Sequence, residues 1–299
     1  MALRVLRETV TLLCLVALIL GGQACRKKNK NSQKKGRGYT SIIIAGSTSI
    51  QPFAEKLAEM YMVKNPNVIV NVQGGGSTAG IRSAQMGIAN IGASSRNLHP
   101  EEKGLFEIPI AYDGIAVIVN PKNPLDNLST QTLRAIYSGR ILNWKSLGGV
   151  DHRITTITRE EGSGTRGAFE ELVMEKLEID PGCIVEDSNG SVRELVATDP
   201  YSIGYISLGL VNKQVKAIAI DGVFPSVKAI KAKRYRFYRP FLFLTRYKPK
   251  GLTLRFICYV LSPEGQRILA KEGLIPMTVI HGESKLCQQR PTASNEKKK

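Results

Sequence analysis

The stretch Ile42-Ile43-Ile44-Ala45-Gly46-Ser47-Thr48-Ser49 carries an apolar run straight into a loop of small and hydroxyl-bearing residues, and an amphipathic segment, residues 53–63, follows it. The same order returns twice. Residues 68–73 lead into Gly74-Gly75-Gly76-Ser77-Thr78, and residues 154–158 lead, past Arg159, into Gly162-Ser163-Gly164-Thr165. β-branched runs favour strands, and a strand that enters a helix through such a loop aims unpaired backbone N–H groups and hydroxyls at one spot, with the positive end of the helix dipole behind them. That arrangement suits a small oxyanion. Two of the loops lie in the first third of the chain and one near its middle, which predicts a ligand gripped from two sides.

Working outward, β-like and α-like segments alternate from Thr40 to about Asp221, and one more strand and two helices follow. Residues 53–63 put Phe53, Leu57, Met60 and Tyr61 on one helical face, residues 81–87 form a shorter helix, and residues 128–137 and 165–177 form two more. Ser129 is the expected cap of the third. Such alternation predicts α/β layers with ligands outside the carboxyl ends of the strands, which is where the three loops fall. Residues 112–119 and 203–221 are continuous enough in apolar character to be strands buried on both faces, and they are read as two crossings between two lobes. Hinge closure is the motion expected of that plan. The expected organisation is therefore a first lobe of residues 40–115 and 222–282 and a second of residues 116–221.

The 299 residues, 42% hydrophobic and 6% aromatic, suffice for one large core or two smaller ones. Disorder of the whole chain is excluded. Residues 1–24 have the form of an export signal, with Arg4 and Arg7 before an apolar run, residues 10–20, that is shorter than the roughly 20 residues a bilayer span needs. Small residues before Cys25 resemble a bacterial lipobox, which would make Cys25 a lipidated N-terminus, although Gly22 stands where an aliphatic residue is usual and ordinary cleavage before Cys25 fits as well.

The net charge of +17 is concentrated in tails: residues 25–39 read as a basic flexible tether lying near anionic lipid headgroups, and residues 283–299 as a disordered basic tail. No nucleic-acid partner is expected. Inside the chain, Lys231, Lys233, Arg234, Arg236 and Arg239 alternate with Tyr235, Phe237 and Tyr238, a pattern read as a half-exposed strand. Of the 5 cysteines, Cys14 and Cys25 fall in the leader and its end, Cys183, Cys258 and Cys287 show no metal spacing, and Cys258 among Phe256, Ile257, Tyr259 and Val260 reads as a small buried hydrophobe.

Several strings in order resemble the PstS-type phosphate-binding proteins, the receptors of phosphate ABC transporters. They are Gly46-Ser47-Thr48-Ser49, Gln73-Gly74-Gly75-Gly76-Ser77-Thr78-Ala79-Gly80-Ile81, Ile91-Gly92-Ala93-Ser94-Ser95-Arg96, Tyr112-Asp113-Gly114 and Arg159-Glu160-Glu161-Gly162-Ser163-Gly164-Thr165-Arg166. Asn143-Trp144, Ile203-Gly204-Tyr205 and Leu261-Ser262-Pro263-Glu264-Gly265 extend the likeness. The resemblance implies an α/β, two-lobed type II periplasmic binding protein fold, export to the periplasm or cell surface, and delivery of inorganic phosphate to ABC permease subunits without a cofactor.

Chemistry and resemblance nominate the same residues. Ser47, Thr48, Ser49 and Ser77 supply hydroxyl and N–H donors from one lobe, with Ser163, Gly164 and Thr165 opposite and Arg159 as the planar fork that suits two phosphate oxygens. In the family an acidic residue at the place of Glu161 orients that guanidinium. Many relatives carry Asp where this chain has Ser95, so the acceptor for a P–OH group is open, with Asp113 either that acceptor or a structural residue of the crossing. Another tetrahedral oxyanion, sulfate, molybdate or tungstate, is the alternative ligand. An enzyme is not expected: no Gly-x-x-x-x-Gly-Lys-Ser/Thr loop occurs, and the 3 His, at 99, 152 and 281, form no metal or nucleophile–base pattern.

Overall fold

The computed structural model describes residues 40–277 and 285–287; the expected export signal, Cys25, the basic tether and residues 288–299 lie outside the described residues. Along the chain the strands are β1 (Thr40–Gly46), β2 (Val68–Gln73), β3 (Ile91–Ser94), β4 (Phe106–Val119), β5 (Asn127–Leu128), β6 (Thr155–Arg159), β7 (Ile184–Glu186), β8 (Ser202–Ser207), β9 (Lys216–Ala217), β10 (Ala219–Ile220), β11 (Tyr238–Thr245) and β12 (Ile275–Pro276). The helices are α1 (Gln51–Lys64), α2 (Ser77–Met86), α3 (Thr130–Tyr137), α4 (Gly164–Phe169), α5 (Asn189–Thr198), α6 (Val227–Lys231), α7 (Gly251–Leu261) and α8 (Pro263–Lys271). A mixed sheet runs β2-β1-β3-β11-β4-β8-β6-β7, with β9 and β12 also on β4.

β4 decides the architecture. Its first part pairs antiparallel with β11 as far as Gly114 opposite Tyr238, and from Ile115 onward it pairs antiparallel with β8. One strand thus serves two sets of neighbours, as the continuous apolar run at residues 112–119 predicts for a crossing. Each set has its own core. Ile42, Ile44, Phe53, Leu57, Val70, Ile91, Ile108, Phe241, Phe243 and Phe256 pack together on one side. Ile115, Val117, Leu133, Tyr137, Trp144, Phe169, Ile203 and Tyr205 pack on the other. Ring contacts tighten the second core, with Phe169 stacked on Tyr205 at 3.9 Å between centroids and Tyr137 edge-on to Phe169 at 4.8 Å.

The strands within residues 203–221 pair with β4, β5 and β6. β8 and β9 both run along β4, and Ile218 and Ile220 stay in the second core with Ala229, Ile230 and Tyr235. Leu210, just past β8, packs against the first core, and β11 returns the chain to it. An unbroken apolar run fits any strand buried on both faces, so composition alone does not separate a crossing strand from its neighbour. The basic and aromatic run also differs from its expected form. Lys231 closes α6, Lys233 takes a positive φ of 57°, and the strand starts only at Tyr238.

Local capping follows the sequence. Ser129 accepts from the Thr132 N–H at the start of α3, and Ser188 does the same for Ser191 at α5. Residues 165–177 do not form one helix: α4 gives way to a π-helical turn, Glu170–Met174, that ends at Glu175 with φ 57°. At Gly46, φ is 138°, and a Cβ would sit 2.3 Å from the Ala93 carbonyl oxygen and 2.8 Å from the Gly80 Cα. β1, β3 and α2 can approach this closely only through glycine.

Cys258 is not a free buried thiol. It forms a disulfide with Cys287, which fastens the turn Lys285–Cys287 to α7, while Cys183 is buried and unpaired. Closing a loop of 29 residues restricts the unfolded chain by about 3.6 kcal/mol. Cys258→Ser is therefore expected to lower the unfolding free energy by about 2–4 kcal/mol in urea titrations without reductant, and equal midpoints for the two proteins would contradict the bridge.

Candidate functional site

The three loops meet. Ser47 follows β1 with its N–H on the Ala93 carbonyl and its hydroxyl accepting from the Ser49 and Ile50 N–H groups, which leaves the hydroxyl proton for Ser95 Oγ at 2.8 Å. Ser95 in turn donates its N–H to Ser77 Oγ at 3.0 Å, and the two hydroxyls lie 3.3 Å apart. Gly164 presses on the same pair: a Cβ there would fall 2.3 Å from Ser77 Oγ and 2.6 Å from Ser95 Oγ. The Thr78 N–H donates to the Gly162 carbonyl at 3.1 Å, so the second loop is hydrogen-bonded to the third.

Ser49 is the second meeting point. Its hydroxyl is 2.8 Å from Thr165 Oγ1 and accepts from Asn189 Nδ2 at 2.9 Å and from Arg239 Nη2 at 3.2 Å. Thr48 Oγ1 accepts from Arg159 Nη2 at 3.0 Å. Ser163 has its hydroxyl committed to capping α4, where it accepts from the Thr165 and Arg166 N–H groups. Ser47, Ser49, Ser77, Ser95, Asp113, Arg159, Ser163, Gly164 and Thr165 are all buried, so the polar cluster is dry. Their convergence on one locus is the arrangement expected from the sequence.

One contact differs from that expected. Arg159 is oriented by Glu160, whose carboxylate accepts from Nε and Nη2 at 3.0 Å each, and not by Glu161, which is exposed. The turn after β6 sets this, since the Ser163 N–H bonds the Glu160 carbonyl and folds Glu160 back over its neighbour. Nε and Nη2 also donate to the Glu186 and Asp187 carbonyls. Burial pushes the Glu160 carboxyl up, against the pull of Arg159. Arg159 Nη1 is buried with no protein acceptor.

Asp113 lies behind the loops. Its Oδ2 accepts from Arg239 Nη2 at 3.1 Å and its Oδ1 from Ser207 Oγ at 2.9 Å, and the Gly209 N–H adds a third bond. Burial pushes this carboxyl up, while Arg239 and these donors pull it down. Arg239 is only 2% exposed; burial holds its pKa below the ordinary value, Asp113 works against that, and the charge of Arg159 adds to the depression. Reading the basic run as a solvated strand face missed this residue. The usable signal is the cross-strand pair Asp113 and Arg239, opposite charges in register on two otherwise apolar strands. Arg96, by contrast, braces its loop, with both terminal nitrogens on Glu102 at 2.6 and 2.7 Å and Nη2 on Thr78 Oγ1.

The family described as the PBP superfamily domain matches residues 31–264. The phosphate-binding protein PstS of Bacillus subtilis is 33% identical over 284 residues, covering 91% of this chain and 94% of that one. The chain belongs to the PstS-type phosphate-binding proteins of the PBP superfamily. A putative phosphate ABC transporter substrate-binding protein with bound phosphate from Clostridium perfringens is 41% identical, with a TM-score of 0.77, 79% of this chain and 99% of that chain covered. An ABC-type phosphate transport receptor from Vibrio cholerae is 38% identical, with a TM-score of 0.67 over 78% of this chain and 99% of that chain. Membership of this family gives the two-lobed type II periplasmic binding protein fold, and the family consists of substrate-binding transport proteins.

The exchange of Glu161 for Glu160 is open to direct test. Glu160→Gln leaves a buried guanidinium short of its counter-charge and is expected to lower stability by about 1–2 kcal/mol, whereas Glu161→Gln shifts it by under about 0.5 kcal/mol. Urea unfolding of both variants reads this; equal losses would return the role to neither residue.

Proposed function

We propose that the protein is the extracytoplasmic receptor of a phosphate ABC importer, closing two lobes over inorganic phosphate and presenting the closed form to the permease subunits. The observation that carries this reading is the convergence of the buried Ser47, Ser49, Ser77, Ser95, Ser163, Gly164 and Thr165, with the part-buried Thr48, around Arg159, whose Nη1 lacks a protein acceptor. A dehydrated phosphate must recover its hydrogen bonds from the protein, and a buried N–H without a partner costs about 1–3 kcal/mol that a phosphate oxygen would restore. The relatives' phosphate-binding names and the bound phosphate of the Clostridium perfringens protein support the same ligand.

The cross-bonds Ser49 to Thr165 and Thr48 to Arg159 tie the loop after β1 to the loop after β6, so ligand and protein groups together hold the closed form. Export through residues 1–24 and a lipid anchor on Cys25 complete the proposal, with the basic residues 25–39 as the tether. Among the described residues no helix is long and apolar enough to cross a membrane. A second reading, the same fold taking another tetrahedral oxyanion, has one observation in its favour: Ser95 supplies a hydroxyl where a carboxylate would reject sulfate.

Titration calorimetry of the mature chain is expected to give saturable heat with phosphate, and Arg159→Ala to weaken binding by at least about tenfold, since a charge-assisted bond contributes roughly 1.5–3 kcal/mol. Wild-type affinity in the variant would remove Arg159 from the site. Heat with sulfate or molybdate and none with phosphate would replace the ligand.

A further inference from the structure

Charge is divided unevenly over this chain. None of its 25 Asp and Glu residues lies in residues 60–100 or 246–263, whereas Glu170, Glu171, Glu175 and Glu178 follow closely after α4. The two acid-free segments come together in the fold. α2 lies over β11, with Ile81 and Ala84 packed against Leu242 and Leu244, and the turns that end both elements touch, since a Cβ on Gly87 would fall 3.5 Å from Arg246 Nη1.

The surface at that junction is apolar and basic at once. Met86 is 68% exposed, Ile88 63% and Tyr247 72%, and the exposed Arg246, Lys248 and Lys250 stand beside them. The Arg246 guanidinium lies 5.4 Å from the Tyr247 ring centroid, and Thr245 Oγ1 donates to the Tyr247 carbonyl at 2.6 Å, which holds the turn. The neighbouring strand β4 adds one exposed acid, Glu107 opposite Leu244. A single exposed apolar side chain needs no explanation; three on two adjoining turns, one of them aromatic and with cations alongside, have the composition of a surface that lies in the headgroup layer of a bilayer.

We infer that Met86, Ile88 and Tyr247, with Arg246, Lys248 and Lys250, form a membrane contact surface that takes the anionic headgroups of a bilayer. Its place in the fold supports this. Leu244 stands opposite Gly92 and Gly92 opposite Ala45, so the chain beyond β11 continues toward the Thr40 end of β1, directly after residues 25–39, which are read as a tether. Arg246 is about 20 Å of strand from Arg239, so the ligand loops stay clear of the bilayer. The lysine stems lie along the apolar boundary with their charges on lipid phosphates, Tyr247 sits among the headgroups, and Met86 and Ile88 reach below them. The acidic turn after α4 packs on the second core through Val173 and Met174 and is repelled by the same headgroups, so charge selects which end turns to the membrane. The surface lies apart from the oxyanion cluster and does not depend on which anion that cluster takes.

The test is sedimentation of the mature, unlipidated chain with vesicles of phosphatidylcholine alone and with phosphatidylglycerol added, at about 0.1 M and about 0.5 M salt. Binding is expected with phosphatidylglycerol and is expected to weaken at the higher salt. Lys248→Glu, and separately Ile88→Ser together with Tyr247→Ser, are each expected to weaken it at least about fivefold. Phe224→Ser, which removes a side chain 58% exposed beside Val223 of the second core, is expected to leave it unchanged. Emission from Tyr247→Trp is expected to be quenched by bromine-labelled lipid, while Trp144 is buried and stays unquenched. Equal vesicle binding by the wild type and these surface variants would assign the attraction to residues 25–39 alone and overturn the inference, as would a loss confined to Phe224→Ser. A lipid-free dimer that Tyr247→Ser disperses would overturn it too, by giving the surface to a second copy. Phosphate calorimetry on the same variants is expected to match the wild type, and absence of phosphate binding throughout would remove the receptor reading while leaving the vesicle result standing.

Discussion

Two positive charges buried in one dry polar cluster are the constraint that organises the rest of this molecule. A guanidinium taken out of water is costly unless it is paired and hydrogen-bonded, and Arg159 and Arg239 repel one another as well. Each therefore has its own carboxylate, Glu160 at the end of β6 and Asp113 in the middle of β4. Removing either acid leaves a charge that neither solvent nor sequence neighbours can absorb. After this pairing Arg159 Nη1 and the Nε and Nη1 of Arg239 remain buried without a protein acceptor.

The fold places those charges by register. Asp113 and Arg239 are opposite one another on β4 and β11, one residue before β4 changes partners from β11 to β8. The ion pair thus sits at the junction of the two cores, and its Ser207 and Gly209 contacts come from the strand that takes over the pairing and from the turn after it. The loops after β1, β2 and β6 arrive from both sides, and glycines at Gly46 and Gly164 let backbones approach where a Cβ would collide.

Much of this was legible in the sequence because the signals are local. A strand, a small-residue loop and a helix within about fifteen residues announce themselves, and Ser47, Ser77, Arg159 and Thr165 lay in such units. Ser129 as a cap follows from an equally short pattern. What escaped was set over distance or by turn geometry. Arg239 is 126 residues from Asp113 and was hidden in a basic, aromatic run that resembles a solvated strand face. Glu160 and Glu161 differ only in which one the turn folds back, and Cys258 acquires its partner from a segment 29 residues on, past α8 and β12.

A crystal structure of the mature chain grown with phosphate tests the central claim most directly. Tetrahedral density in contact with Ser47, Ser77 and Thr165, with Arg159 Nη1 about 2.8–3.0 Å from one of its oxygens, is the predicted result. Density instead among the exposed Lys233 and Arg236, with the buried cluster closed on itself and Arg159 Nη1 still unpaired, would contradict it.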